Sequence, residues 1–312
     1  MSAALPDARL IPLPGSGPED VVIDAHGRLI AGVEDGRVLR IEPIGGEVQV
    51  LARLQGRPLG LEILPDGNIL ACVSPGGVVR IDPVDGTVTA LMTSFERKPL
   101  PFCSNVVAAA DGSIFVSTSS ARYTFPQWRL DIVEHLPTGV LLRRYPDGRL
   151  EKLLDGLQFG NGLVLAHDES FLIVAETNAA RLLRYWLMGP RAGQHEVFAE
   201  LPGYPDNLSI SAEGLVWVAL ASSRNALLDK IHKLPLWLRK LVARLPEILQ
   251  PAPEKIAWAM ALDADGHIVH DCCWKDGRYS MVTSVCQHER MVYLGSMLEP
   301  ALLAFELPAA TG

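Results

Sequence analysis

The stretch Leu201-Pro-Gly-Tyr-Pro-Asp-Asn-Leu-Ser-Ile-Ser211 places Asp206 and Asn207 at the start of an apolar strand. A polar side chain at that position can face a shared cavity without replacing a core residue deeper in the sheet. The same arrangement occurs three more times, with an oxygen-bearing residue ahead of an apolar run at Glu19, Asn105 and Asn161. In each case a turn residue follows seven or eight positions downstream, and a second apolar strand comes after it. The four side chains therefore hold the same place in one repeating unit.

The repeating unit is a four-stranded meander with glycine-rich turns. Its first two copies are nearly the same, since Arg40-Ile-Glu-Pro43 in the first matches Arg80-Ile-Asp-Pro83 in the second. Six such units follow one another along the chain, but the last has only three strands of its own. The stretch Arg9-Leu-Ile-Pro-Leu13 is available as its fourth strand, which would close the ring and leave no open sheet edge.

These repeats predict an all-β protein, a six-bladed β-propeller that forms a single domain over residues 1–312, with a short helical insertion at 222–256 in the fifth blade. Without the insertion each blade has about 46 residues, close to the roughly 40–50 typical of propeller repeats. The first strand of each blade lines the central channel of a propeller. The four oxygen-bearing residues should therefore meet at one mouth of the channel. By the same count, Leu59 in the second blade and roughly Val282 or Thr283 in the last blade hold the two remaining positions of this ring.

A cluster of Glu, Asn, Asn and Asp without histidine or cysteine is a hard, all-oxygen ligand set. Such a set suits Ca²⁺ better than Zn²⁺ and leaves coordination positions for water and substrate, although Mg²⁺ and Mn²⁺ fit the same donors. The alternative is that Asn and Asp only serve turn geometry ahead of a strand. The recurrence of four such residues in one phase of the repeat favours a metal site.

The insertion is the most unusual segment of the sequence. Residues 226–249 show helical periodicity interrupted by Pro235 and Pro246, which predicts two or three short amphipathic helices. Two interpretations fit them: a lid over the pocket, or peripheral contact with an anionic membrane surface, because the helices carry both basic and apolar residues. As a lid, their apolar face would form the upper wall of the pocket through Leu227, Ile231, Leu234, Trp237, Leu238 and Leu241. The expected pocket residues are Leu59, Tyr204, Trp237 and Thr283.

Composition narrows the partners and the compartment. The chain carries a net charge of −8 and no basic block, which argues against a nucleic-acid partner. The first residues lack the basic start and apolar core of a signal peptide, and no uncharged apolar run reaches roughly 18 residues, so we expect a soluble, cytoplasmic protein. The five cysteines show no C-x-x-C spacing, which predicts buried thiols rather than disulfides or a zinc site. The sequence leaves the oligomeric state open.

Several motifs carry a resemblance that covers essentially the whole chain. They are Gly17-Pro-Glu-Asp20, Phe159-Gly-Asn-Gly162, Val174-Ala-Glu-Thr177, Arg184-Tyr-Trp186, Gly203-Tyr-Pro-Asp-Asn207 and Tyr293-Leu-Gly-Ser296. Together they resemble the strictosidine-synthase-like branch of the SMP-30/gluconolactonase and paraoxonase superfamily, with the greatest likeness to the adipocyte plasma membrane-associated type. The resemblance implies a six-bladed propeller with a catalytic Ca²⁺ in its channel. The family's ligands fall on Glu19, Asn105, Asn161 and Asp206, and Asn207 matches a further ligand of the paraoxonases.

The chain also departs from these relatives. Strictosidine synthases have an essential glutamate on the innermost strand of the last blade, where Thr283 stands here, so their amine–aldehyde condensation is not expected. Leu59 replaces a histidine of the paraoxonases in the second blade. Paraoxonases also bind a second, structural calcium through an acidic residue directly after each of the first two ligands. In this chain Asp20 follows Glu19, but Val106 follows Asn105 in place of the second acid. One metal ion is the expectation.

Two classes of function follow. The first is a calcium-dependent hydrolase of lactones or other carboxylic esters, aryl esters included, with a preference for hydrophobic substrates. In that enzyme Asp206 would position or deprotonate water, with Asn161 and Glu19 beside it in the catalytic site. The second is a non-catalytic, metal-stabilised propeller that acts as a binding or interaction module, because a propeller fold alone does not fix a function.

Overall fold

Antiparallel meanders build the whole fold, as the alternation of apolar runs and glycine turns predicts. The computed structural model describes residues 8–307, except for the side chain of Glu247. The prediction of one domain from residue 1 to 312 and the signal-peptide argument partly fall on residues outside this range. Within it, six four-stranded sheets form the six blades. The predicted six-bladed β-propeller is confirmed.

The first blade consists of β2 (Val21–Ile23), β3 (Leu29–Gly32), β4 (Arg37–Ile41) and β5 (Val48–Arg53). The second consists of β6 (Arg57–Ile63), β7 (Ile69–Ser74), β8 (Gly77–Ile81) and β9 (Val88–Met92). The third consists of β12 (Phe102–Ala108), β13 (Ile114–Ser120), β14 (Gly139–Arg144) and β15 (Leu150–Leu157). A small hairpin of β10 (Ser94–Phe95) and β11 (Lys98–Pro99) joins the second blade to the third.

The fourth blade consists of β16 (Gly160–Leu165), β17 (Phe171–Glu176), β18 (Arg181–Trp186) and β19 (His195–Glu200). The fifth consists of β20 (Gly203–Ile210), β21 (Val216–Ser223), β22 (Ala257–Leu262) and β23 (Ile268–Trp274). The sixth consists of β24 (Val282–His288), β25 (Met291–Ser296), β26 (Ala301–Glu306) and β1 (Arg9–Pro12). Strand β1 pairs with β26, with Arg9 opposite Ala304. The N-terminal strand therefore completes the last blade, as predicted.

The core consists of apolar layers between consecutive blades. In β3, Leu29 and Ala31 pack toward the last blade, whereas Ile30 between them packs toward the second blade. This follows from the two-residue period of a strand, which sends alternate side chains to opposite faces. Among the described residues, each pair of neighbouring blades shares one such cluster. The inner strands are thereby fixed around the channel from both sides.

Two excursions from the blades carry the helices and meet over one end of the channel. The helix α1 (Trp128–Glu134) lies between β13 and β14, and α2 (Ala226–His232) and α3 (Leu236–Ala243) lie between β21 and β22. Their contact is apolar, through Val133 of α1, Leu228 and Ile231 of α2, and Ala243 of α3. We call residues 121–138 and 224–256 together the cap. Short 3₁₀ turns occur at Phe125–Gln127, Thr177–Ala179, Gly189–Arg191 and Glu247–Leu249.

Two further sequence expectations concern the helices and the cysteines. In the described part of the chain, no helix is long and apolar enough to cross a membrane. Cys72, Cys103, Cys272 and Cys286 are buried free thiols, and Cys273 is half-buried. The adjacent pair Cys272 and Cys273 thus forms no disulfide, as the sequence predicts.

Candidate metal centre and pocket

Bulges in the inner strands position the ring residues. The pairing register shifts between Cys103 and Asn105, between Gly160 and Leu163, and between Pro205 and Leu208. Similar shifts lie between Pro58 and Leu61 in the second blade and between Val282 and Ser284 in the last. A bulge re-aims a side chain that regular pleating would send into the blade.

The bulges correct one detail of the sequence interpretation. Asn105, Asn161 and Asp206 lie within β12, β16 and β20, not ahead of the first strand residue. Only Glu19 precedes its strand as expected, because β2 begins at Val21. The physical reason is that strand pairing resumes on the far side of each bulge, so the polar residue interrupts a strand instead of preceding it.

Two glycines allow the inner strands to approach one another closely. A Cβ atom on Gly60 would lie 2.5 Å from the Cα of Asn105, and one on Gly162 would lie 2.5 Å from the carbonyl oxygen of Asp206. No side chain fits at such distances, so glycine is required for contact between the backbones. At one mouth of the channel Glu19, Asn161, Asp206 and Asn207 line the same cavity. Asn105 adjoins them through Asn207 but itself lines a cavity further along the channel.

Arg57 holds Glu19 in place. Its Nη2 atom lies 2.8 Å from Glu19 Oε2, and both side chains are buried. The same nitrogen donates to the carbonyl oxygens of Gly17 at 3.2 Å and Met297 at 3.1 Å, while the guanidinium lies 4.3 Å from the ring centre of Phe125. Arg57 therefore fixes the carboxylate and the pocket wall together.

The asparagine side chains donate to other parts of the ring. Asn105 Nδ2 donates to Asn207 Oδ1 at 2.8 Å, and Asn161 Nδ2 donates to Thr177 Oγ1 at 3.2 Å. In Asn105 and Asn161 these bonds leave the amide oxygen as the side of the group that can bind a cation. Asn207 also donates, at 3.4 Å, to the main-chain oxygen of Glu19, so it links three blades.

Two carboxyl groups, those of Glu19 and Asp206, lie at this mouth, and Arg57 is the basic side chain that pairs with Glu19. Burial raises the pKa of Asp206 well above its ordinary value, and the charge of Glu19 raises it further, while the Asn161 side chain opposes the rise. Burial also raises the pKa of Glu19, although Arg57 opposes that rise. A hard cation between the two carboxylates would relieve both effects. The donor set and its charge therefore fit a divalent ion such as Ca²⁺.

A cavity of about 110 Å³ lies above these groups, and most of its wall is apolar. Its floor is formed by Glu19, Asn161, Asp206 and Asn207. Phe102 packs edge-to-face against Phe125 and Phe159, with ring centres 5.9 and 5.4 Å apart. Leu59 and Tyr204 also line the cavity. The cap covers it with Trp128, Ile132, Leu228 and residues 250–253.

Two predicted pocket residues are elsewhere. Trp237 is 67% exposed and does not line the cavity, so its prediction as the upper wall is wrong. Of the predicted inner face, Ile231 does pack on α1 beside Leu228, whereas Leu227, Leu234 and Leu241 are exposed like Trp237. Arg239 fixes this orientation by donating to the carbonyl oxygens of Glu134 and His135 at 2.6 and 3.2 Å. Thr283 is fully buried and does not line the cavity either; its Oγ1 donates to the main-chain oxygen of Glu19 at 2.7 Å.

Sequence reasoning missed part of the site. It gave no role to Arg57, to the aromatic side chains Phe102, Phe125 and Phe159, or to α1. The position of Arg57, two residues before the ring position of Leu59, is the one signal that connects it to the site. Its partner lies 38 residues away in another blade, and a single sequence does not show such a pair.

Other acidic groups lie away from this mouth. Asp20 faces a cavity of about 420 Å³ further along the channel, where its carboxylate accepts from the amides of Val21 at 2.9 Å and Leu61 at 2.8 Å. Burial raises the pKa of Asp20 to about 7. On the surface, Asp263, Asp265 and His267 place three possible ligand atoms within 4.8 Å of one another. Asp263 there accepts from the amides of Asp265 and His267, as in an ordinary turn.

Comparison with known proteins identifies the family. The family described as SMP-30/Gluconolactonase/LRE-like region matches residues 32–228, and the N-terminal region of strictosidine synthase-like proteins matches residues 2–41. The chain belongs to the SMP-30/gluconolactonase/LRE-like family. The resemblance seen in the sequence motifs is thereby confirmed.

Individual relatives of this SMP-30/gluconolactonase family member include plant and animal proteins. Protein STRICTOSIDINE SYNTHASE-LIKE 10 of Arabidopsis thaliana is 31% identical, over 97% of this chain and 88% of the relative. The adipocyte plasma membrane-associated protein of Mus musculus is 29% identical, over 94% of this chain and 76% of the relative's length.

Solved structures of low sequence identity share the fold. A gluconolactonase from Xanthomonas campestris has a TM-score of 0.70 at 19% identity, covering 97% of this chain and 91% of that one. A calcium-binding protein, regucalcin, from Agrobacterium tumefaciens has a TM-score of 0.65 at 15% identity, covering 96% and 94%. At such identities the likeness describes the propeller and not its chemistry.

Proposed function

We propose that this protein is a calcium-dependent hydrolase of lactones or other carboxylic esters and that it prefers hydrophobic substrates. The observation that carries the proposal is the pairing of two carboxylates, Glu19 and Asp206, with an amide oxygen on the floor of an apolar, capped cavity. Membership of the family described as SMP-30/Gluconolactonase/LRE-like region supports the class of reaction, and the all-oxygen donor set supports the ion.

Calcium would be held by Glu19, Asn161 and Asp206, with Asn105 and Asn207 adjoining; Mg²⁺ or Mn²⁺ would use the same oxygens. When bound, the ion would supply positive charge that polarises the substrate carbonyl and offsets the negative charge that develops on the carbonyl oxygen.

The chain's own residues would supply the remaining steps. Asp206 lines the cavity, so its carboxylate is in reach of water, which it would orient. It would also deprotonate that water once a bound cation offsets its raised pKa. Arg57 keeps Glu19 from rotating away from the floor, and Thr283 holds the Glu19 backbone. The cap limits the access of bulk water, which strengthens the charge interactions within the cavity.

The cavity wall supports the substrate preference. Phe102, Phe125 and Phe159 form one aromatic side, and Met281 and Met297 lie beyond it. A sugar lactone needs hydrogen-bonding partners for each hydroxyl group, and burying an unpaired hydroxyl costs on the order of 1–3 kcal/mol. An alkyl or aryl lactone of similar size gains contact with the same wall.

The test is a panel of sugar lactones, alkyl lactones and aryl esters, each assayed with purified protein before and after treatment with a chelator. We expect turnover of the alkyl lactones and aryl esters, loss of activity with chelator, and recovery when Ca²⁺ is restored. Activity that persists in chelator would contradict the role of the metal. Stable calcium binding without turnover of any substrate would favour the non-catalytic alternative.

A further inference from the structure

The outer surface of the cap exposes an unusual amount of apolar side chain. Among the described residues, seven of the seventeen exposed large hydrophobic side chains lie between residues 227 and 249. They are Leu227, Leu234, Trp237, Leu241, Leu245, Ile248 and Leu249. Ile248 is 91% exposed, and Trp237 is 67% exposed. Exposed apolar residues scattered singly are normal, but a cluster of this kind marks an interaction surface.

Basic side chains are interspersed with these apolar ones. Residues 224–249 contain six Lys or Arg and two acidic residues, in a chain whose net charge is −8. Lys230, Lys233 and Arg244 are exposed, and Lys240 is half-buried. None of the four forms an ion pair with a side chain that the structure describes. The positive charge is thus concentrated on the surface that is also the most apolar.

The orientation of this surface is fixed by the cap's inner contacts. Leu228, Ile231 and Ala243 are buried against α1, and Arg239 is bonded to two carbonyl oxygens at the end of α1. The helices therefore present their other face to solvent without any rearrangement of the cap. Two short helices that each pack on α1 and carry tryptophan, leucine and lysine outward have the amphipathic pattern of segments that bind at a membrane interface.

We propose that this outer cap surface, residues 227–249, docks the protein onto anionic phospholipid. Trp237, Leu241 and Ile248 would enter the boundary between headgroups and acyl chains, and the lysines would lie at the phosphate level. Charge complementarity favours an anionic membrane as the partner. Because the rest of the chain is acidic, an anionic membrane would repel it and attract the basic surface at residues 227–249. A cluster of apolar side chains interspersed with lysines also suits a fluid surface that adapts to both. The binding requires neither the metal nor substrate turnover.

The first test uses co-sedimentation of the whole protein with phosphatidylcholine vesicles that contain or lack phosphatidylserine. We expect binding to the anionic vesicles that weakens as salt is added. The double substitution Trp237→Ser and Ile248→Ser should lower the affinity by at least on the order of ten-fold, since two apolar side chains no longer leave water. The matched control is Ile44→Ser with Val84→Ser, which removes two apolar side chains that are 84% and 93% exposed on the first two blades. The control should bind like the wild type.

A second set of variants tests the charge. Replacing Lys230, Lys233 and Lys240 with Gln should weaken binding to anionic vesicles by about five-fold per lysine, or about a hundred-fold together. Because none of these residues lines the cavity, turnover of a soluble ester should stay at the wild-type level in all the variants. This separates loss of docking from loss of the proposed hydrolysis.

Three results would overturn the proposal. One is wild-type protein that stays in the supernatant with anionic vesicles at low salt. Another is equal binding by the wild type and by the Trp237→Ser, Ile248→Ser variant. The third is a concentration-dependent dimer, seen by analytical ultracentrifugation, that the same two substitutions abolish, because it would show that a second copy of this chain covers the surface.

Discussion

Substituting Arg57 with Met should strongly destabilise the metal-free protein, because it leaves the Glu19 carboxylate without its partner. The side chains of the pair are only 8% and 7% exposed, and their atoms lie 2.8 Å apart. Breaking a buried pair by removing one partner costs about 3–5 kcal/mol. Glu19 has a raised pKa, so it can take up a proton once the arginine is gone. We therefore expect a loss in the free energy of unfolding of about 3 kcal/mol, the lower end of that range.

Calcium should reduce this loss. An ion held by Glu19 supplies the positive charge that Arg57 no longer provides, and binding to the folded state alone adds stability by mass action. The assay is urea unfolding followed by tryptophan fluorescence, with chelator and with excess Ca²⁺. The control is Arg28→Met, because Arg28 pairs with Asp24 at the same 2.8 Å distance but is 27% exposed. Breaking that more exposed pair should cost about 0–1 kcal/mol, with or without calcium.

The double variant Arg57→Met, Glu19→Gln separates the charge from the packing. A glutamine carries no charge that can be left unpaired, so in chelator it should recover part of the stability that Arg57→Met alone loses. A loss in chelator no larger than that of Arg28→Met would refute the reasoning about burial. If Arg57→Met lowered the free energy of unfolding equally with and without Ca²⁺, Glu19 would not be a ligand of the metal.

Three further predictions concern the channel and the wall. Gly162→Ala should weaken calcium binding and also destabilise the fold, since its Cβ would lie 2.5 Å from the carbonyl oxygen of Asp206; unchanged calcium affinity by calorimetry would contradict the close approach. Burial and the charge of Asp20 raise the pKa of Glu62 to about 7. Protonated Glu62 therefore stabilises the folded protein fully below the ordinary pKa of 4.5, and this stabilisation is lost as the pH rises through 7. The melting temperature of Glu62→Gln should therefore fall less than that of the wild type between about pH 5 and pH 8, and parallel curves would refute this. Phe125→Ala should lower kcat/KM for long alkyl lactones on the order of ten-fold and for short ones much less; an equal effect on both would remove Phe125 from the acyl-binding wall.

The repeats were enough to predict the propeller and the position of the ring. Six meanders, the closing strand at Arg9 and the phase of Glu19, Asn105, Asn161 and Asp206 all follow from a local period of strand and turn. This part of the fold could be predicted because each blade repeats the same local pattern, and four copies in phase are readable in one sequence.

What the sequence could not show depends on contacts between distant segments. The helices at 226–249 carry apolar residues on both faces, so periodicity alone allows Trp237 to face inward or outward. The packing on α1 decides between them, and α1 belongs to another blade. The pairing of Arg57 with Glu19 likewise depends on how two blades meet. The bulges are set by the fit of neighbouring inner strands, which no local pattern encodes.

Calorimetric titration of chelator-treated protein with Ca²⁺ shows directly whether the channel mouth binds the ion. We expect one ion per chain and loss of binding in Asp206→Asn, which keeps the shape of the side chain but removes its charge. The variant Asp263→Asn, in the exposed acidic turn, should bind like the wild type. Absence of binding by the wild type, or loss of binding in Asp263→Asn while Asp206→Asn keeps it, would contradict the assignment of the metal to the mouth of the channel.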